Sequence, residues 1–222
     1  MKINLLIVIT IVFSMSLLAK NLEEQTIKPA TKSHILLTKS LKVLVEKVNA
    51  NLAKETSLMR LFAQVADKKE SAKKGYLIPI DTVVYVKDIN SWPDLTVTSY
   101  IVLLRKDGSV SAVQEVPTSE SGDWSNSYTH YYDESGKTIA FERYSGFFNG
   151  CPHSPAKERS HYYLDKKEII AKDYSLVGNN NKVLKASDCE GFPYRHEYTI
   201  YHTLKETLNK YNIKLNLRNT RY

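Results

Sequence analysis

The sequence predicts an α+β fold: an antiparallel β-meander of about six or seven strands, covered on one face by an N-terminal helix and followed by a short C-terminal helix. Three observations carry this reading. A strand–turn–strand pattern is written twice: His130-Tyr131-Tyr132, Asp133 to Gly136 and Lys137 to Ala140, then His161-Tyr162-Tyr163, Leu164 to Lys167 and Glu168 to Ala171, at a constant offset of 31. An apolar stripe of Leu37, Leu41, Leu44, Val48 and Leu52 precedes it at spacings of three and four, which places these residues on one side of a helix. A second stripe of Ile200, Leu204, Leu208 and Tyr211 ends the chain in the same period.

Residues 1–19 read as a secretory signal, with Lys2 as the positive n-region, Leu5 to Leu18 as the apolar h-region and Ala19 at the cleavage site. An uncleaved anchor is the alternative, because Ile3 to Ala19 is only slightly shorter than the roughly 20 residues a bilayer needs. Residues 20–32 are polar, contain Pro29 and lack periodicity, which predicts a disordered lead.

Residues 33–74 are predicted as a cationic helical segment. Ser33 is the expected N-cap, the stripe resumes at Met59, Phe62 and Ala66, and Lys73 and Lys74 suit the C-terminal turn. One kinked helix and two shorter ones fit equally. Residues 20–74 carry twelve Lys or Arg against six Asp or Glu, whereas from Gly75 onward the two are equal at eighteen. Residues 20–74 therefore carry +6 of the net charge of +7, and Lys2 carries the remainder. Such a surface suits contact with an anionic membrane or an acidic partner, and equally suits a solvated helix face.

From Gly75 to Tyr222 the period becomes two, which defines the antiparallel β domain with its closing helix. Thr82 to Lys87 and Thr96 to Arg105 are strands by composition. Lys106-Asp107-Gly108 is a turn, and Ser109 to Val116 returns. This hairpin is a degenerate third copy, with Ala112 at the place of Ala140. Taking both four-residue turns as equivalent puts Tyr128 opposite Phe141 and His130 opposite Ile139, then His161 opposite Ile170 and Tyr162 opposite Ile169. Lys182 to Leu184 is a further short strand.

In an oxidising compartment Cys151 and Cys189 form one disulfide. The competing reading, Cys151 as a nucleophile with His153 as base, lacks any feature that would lower the thiol pKa. Tyr128, His130, Tyr132, His161 and Tyr163 are predicted on one face of the sheet, either as a contact surface, since tyrosine combines a large rigid area with a polar tip, or as core. His130 and His161 would lie roughly 10 Å apart on that face, too far to share a metal ion. The sequence contains no HExxH run, nucleophile elbow or Gly-rich phosphate loop. No catalytic residue, metal site or cofactor is assigned, and nucleic acid is not the expected partner.

The function expected is that of an exported, periplasmic or secreted, non-enzymatic binding protein. It would grip another protein or an envelope component through the Tyr-rich face or its loops, in the manner of an inhibitor or immunity factor. The alternatives are a carrier of an apolar ligand between sheet and helix, and a hydrolase with dispersed residues.

Overall fold

A computed structural model describes residues 31–52, 56–189 and 197–215. The predicted signal and all but the end of the polar lead lie outside them. Within them, eight antiparallel strands form one sheet in the order β2-β1-β3-β4-β5-β6-β7-β8. Helix α1 (Lys32–Leu52) lies on one face. Its cap is Thr31 rather than Ser33: Thr31 Oγ1 accepts from the His34 amide at 3.2 Å, and the Thr31 carbonyl accepts from the Ile35 amide.

The helical reading of residues 33–74 is corrected in its middle. Met59, Phe62 and Ala66 belong to strand β1 (Met59–Ala66), and only Lys68–Lys74 returns to helix, as α2. The reason is burial. Strand β1 sits between β2 and β3, and its consecutive residues Leu61, Phe62 and Ala63 are all buried, two against one sheet face and one against the other. A strand covered on both faces loses the alternation that marks it in sequence. Helix α2 has its own punctuation, with Asp67 as N-cap and Gly75, at φ 78°, as left-handed C-cap.

Strands β2 (Pro79–Val86), β3 (Thr96–Leu104) and β4 (Val110–Pro117) are followed by β5 (Trp124–Tyr132), β6 (Thr138–Phe147), β7 (Ala156–Asp165) and β8 (Glu168–Val177). The last six form three hairpins, and each carries one bulge near its turn, at Leu103/Leu104, Tyr131/Tyr132 and Tyr163/Leu164. The bulge inserts Ser111, Ile139 or Ile170 and is the shared structural feature behind the repeat. Lys182 to Leu184 contributes only a bridge from Val183 to Val177.

The turns are not equivalent. The first two hairpins close over three residues ending in left-handed Gly108 and Gly136, whereas the third closes over Lys166 and Lys167 alone, both at positive φ. The predicted pairing is corrected accordingly. In the middle hairpin, Tyr128 faces Arg143 and His130 faces Phe141, two residues from the expected partners, so the faces are preserved. In the last, His161 faces Asp173 and Tyr162 faces Lys172, an odd displacement that changes which return-strand residues share a face with His161.

The two sheet faces have different covers. Leu41, Val45 and Val48 of α1 pack on Leu103, Ala112, Tyr131, Ala140 and Tyr163. The opposite face carries Phe62, Tyr100, Val102, Val113 and Tyr132 and is closed by Leu204, Tyr211 and Ile213. The closing helix α3 (Leu204–Lys210) is shorter than its stripe predicts: Thr203 caps it, leaving Ile200 in the extended segment before it.

Candidate functional site

The five residues predicted on one face divide between two. Tyr128, His130 and Tyr132 face the C-terminal segment, whereas His161 and Tyr163 face α1. Four of the five are core residues: Tyr128, His130, Tyr132 and Tyr163 are each less than 5% exposed. As they stand they offer a partner almost no contact area.

His130 is fully buried. Its Nε2 accepts from the Tyr201 amide at 3.0 Å, and its ring packs against Phe141 and Tyr201 at 4.8 and 5.4 Å. Burial pulls its pKa down to about 3, so at neutral pH the ring carries no charge. The Tyr132 hydroxyl donates to Thr207 Oγ1 of α3 at 2.7 Å. These contacts hold the C-terminal segment to the sheet.

Beneath α1 lies an ionisable network centred on Glu142. Its Oε2 is 3.1 Å from His161 Nε2 and 3.3 Å from the Tyr131 hydroxyl, and its Oε1 is 3.6 Å from Arg159 Nε. The Tyr131 hydroxyl also donates to Asn49 of α1 at 2.8 Å, and Lys42 pairs with Asp173 at 2.8 Å. Burial lowers the His161 pKa despite Glu142, and burial raises that of the Tyr131 hydroxyl, so both are neutral at pH 7. The carboxylate thus sits among His161, Arg159 and the Tyr131 hydroxyl, whose one proton goes to Asn49. The arrangement joins the helix to the sheet.

Cys151 and Cys189 are bonded, with their Cα atoms 4.1 Å apart. The bond joins the loop after β6 to the turn after β8, beside a small cluster of Ala156, Leu176 and Leu184. It removes both sulfurs from nucleophilic chemistry. His153, offered as a base, instead has Nε2 2.6 Å from Lys182 Nζ. Among the described residues no three His, Cys, Asp or Glu side chains converge as metal ligands, and no helix is long and apolar enough to cross a membrane.

The structure adds a site the sequence did not predict. A half-open cleft of about 300 Å3 runs between the β7–β8 turn and residues 198–202. Its walls are Tyr162, Leu164, Ile169, Tyr198 and Ile200, and its polar groups include Lys167 and His202. The Tyr162 and Tyr198 hydroxyls are 2.8 Å apart, and Lys172 Nζ lies 5.1 Å from the centre of the Tyr162 ring. Burial raises the Tyr198 pKa. His202 Nδ1 is buried and has no hydrogen-bond partner among the described residues. The lining carries a cation and no carboxylate. It can therefore seat an apolar or aromatic group and meet an attached anionic or acceptor group at its rim. The walls come from chain positions 36 apart, and the only signal in the sequence is the alternation Tyr198, Ile200, His202.

The sheet, its two covers and the cleft define an α+β protein with an eight-stranded antiparallel sheet enclosed between an N-terminal helix and a C-terminal segment. No known protein family, curated protein or solved structure matches this chain.

Proposed function

We propose that this chain is an exported, non-enzymatic binding protein that grips a partner protein by taking one of its apolar or aromatic side chains into the cleft between β7–β8 and residues 198–202. The observation that carries the reading is the cleft's lining: five apolar or aromatic walls, a lysine at the rim and no carboxylate. The ring pair at its back is held by the Tyr162–Tyr198 hydrogen bond, so the walls are in place before a ligand arrives. The disulfide supports an oxidising location. The contact surface thus moves from the buried tyrosine face, the expectation from sequence, to the Tyr162–Tyr198 pair beside it.

The hydrolase reading lacks its hallmark in this cleft, since its lining offers no carboxylate to pair with His202. The carrier reading keeps one observation in its favour: about 300 Å3 is the lower limit of small-ligand pockets, although this space lies under the C-terminal segment and not under α1.

The test compares the parent with an Ile169→Lys variant, which places a charge on the cleft wall. A partner captured from envelope extract by the parent, and bound at least about tenfold more weakly by the variant in a direct titration, supports the proposal. Equal binding by both, or capture by neither, refutes it. A small molecule released from the purified parent and absent from the variant would establish the carrier reading instead.

A further inference from the structure

Helix α1 has two apolar sides, and only one is used by the core. Leu41, Val45 and Val48 point into the sheet. On the opposite side Leu36 and Val43 are 59% and 66% exposed, and Ile35 is 48% exposed. At 100° per residue, Lys32, Leu36, Lys39, Val43, Lys47 and Ala50 fall within about 80° of the helix circumference, with Ile35 and Glu46 at its edge. Lys32, Lys39 and Lys47 make no ion pair with any described residue. The outward side is thus two aliphatic residues one heptad apart, bracketed by three ammonium groups without an ion-pair partner among the described residues.

We infer that this outward side of α1 is a docking surface for an anionic lipid bilayer, which it meets lying flat, with Leu36 and Val43 entering the headgroup–acyl boundary and the lysines among the anionic headgroups. Charge decides the occupant. Helix α1 carries four lysines against one glutamate, while the chain from Gly75 onward is balanced. An acidic surface is drawn to this side, whereas a second copy would bring lysine against lysine. Geometry agrees: Leu36 and Val43 are both more than half exposed on the side of α1 turned away from the sheet. The inference is independent of the cleft, which lies on the opposite face of the sheet.

The test uses the exported chain carrying Leu36→Trp, mixed with vesicles that contain brominated acyl chains. The parent, with Trp92 and Trp124, supplies the baseline. Expected is quenching of the additional emission by phosphatidylglycerol vesicles, several-fold greater than by phosphatidylcholine vesicles. It should weaken as salt rises from about 0.05 M to about 0.5 M. Adding Lys39→Glu and Lys47→Glu should lower binding about tenfold or more. Absence of quenching above the baseline, or equal quenching by both lipids, overturns the inference. So does a dimer in sedimentation that Val43→Asp dissociates, because a second copy would then be the occupant.

Discussion

His130 and His161 open the two copies of the same His-Tyr-Tyr motif, yet they point to opposite faces of one sheet. His130 is buried against Tyr201 and Phe141 of the C-terminal side, and His161 bonds Glu142 beneath α1. The inversion follows from the turns and the strands between the copies. The turn in the third hairpin is one residue shorter than in the second, so Tyr163, not Tyr162, takes the position of Tyr131 and faces an alanine in the same way. Identical letters thus mark different places on the pleat.

The short turn itself yields a prediction. Lys166 and Lys167 occupy φ 46° and 76°, where a side chain is strained and where Asn-Gly is favoured. Replacing the pair by Asn-Gly should stabilise the protein by roughly 1 kcal/mol and leave the register unchanged. Urea denaturation of parent and variant measures the gain, and a loss of stability would contradict the assignment of the turn.

Seven of the eight strands were legible in the sequence because alternation and turn residues delimit them. Strand β1 was not, since Leu61, Phe62 and Ala63 are buried in succession. The disulfide was legible from the oxidising compartment that the N-terminal apolar run implies, and helices α1 and α3 from their stripes. The register of the last hairpin depends on a left-handed Lys-Lys turn, for which lysine gives no composition signal. The cleft needs Tyr198 brought onto Tyr162, a tertiary contact that no local period encodes.

Acid should destabilise the protein through His130. Its folded pKa of about 3 lies below the ordinary histidine value of about 6.5, so under pH 6.5 the unfolded state binds the proton that the folded state refuses. Stability is complete above pH 6.5 and falls toward pH 3 by up to about 1.4 kcal/mol per pH unit. His161 is shifted in the same direction and adds to the trend. A His130→Gln variant, which keeps an acceptor for the Tyr201 amide, should be less stable at pH 7 and show a shallower acid limb. Denaturation free energies between pH 4 and 7 provide the comparison; identical slopes would exclude His130 as the cause.

The bond between Cys151 and Cys189 closes a loop of 38 positions, which the chain-entropy model values at roughly 4 kcal/mol. Reduction, or the double change Cys151→Ala and Cys189→Ala, should lower the melting temperature clearly. Protection from hydrogen exchange should fall first around Ala156, Leu176 and Leu184, the residues packed beside it. Equal melting temperatures with and without reductant would show that the bond does not stabilise the fold.

Tyr131 links α1 to the sheet through a single hydroxyl, which donates to Asn49 and touches Glu142. Tyr131→Phe should cost about 1 kcal/mol and increase hydrogen exchange in the second half of α1. Glu142→Leu should cost more, because it leaves His161 and Arg159 without their shared partner. If the two variants unfold alike, the carboxylate is not the centre of the network.

Arg143 and Glu158 test how a buried charge pair behaves on the opposite face. Their side chains are 9% and 4% exposed, Nη1 is 3.0 Å from Oε2, and Glu158 Oε1 accepts from Tyr174 at 3.1 Å. Arg143 Nε and Nη2 find no bond among the described residues, nor do the amide atoms of the neighbouring Asn126. Removing one partner strands the other charge in a medium that solvates it poorly, so Arg143→Met or Glu158→Leu alone should cost about 3–5 kcal/mol. Removing both leaves no buried charge, so the double variant should lose far less than the sum of the singles. A double-mutant cycle by urea denaturation reads this directly. Additive losses would mean that each charge is solvated independently and that the short distance between them contributes nothing to the fold.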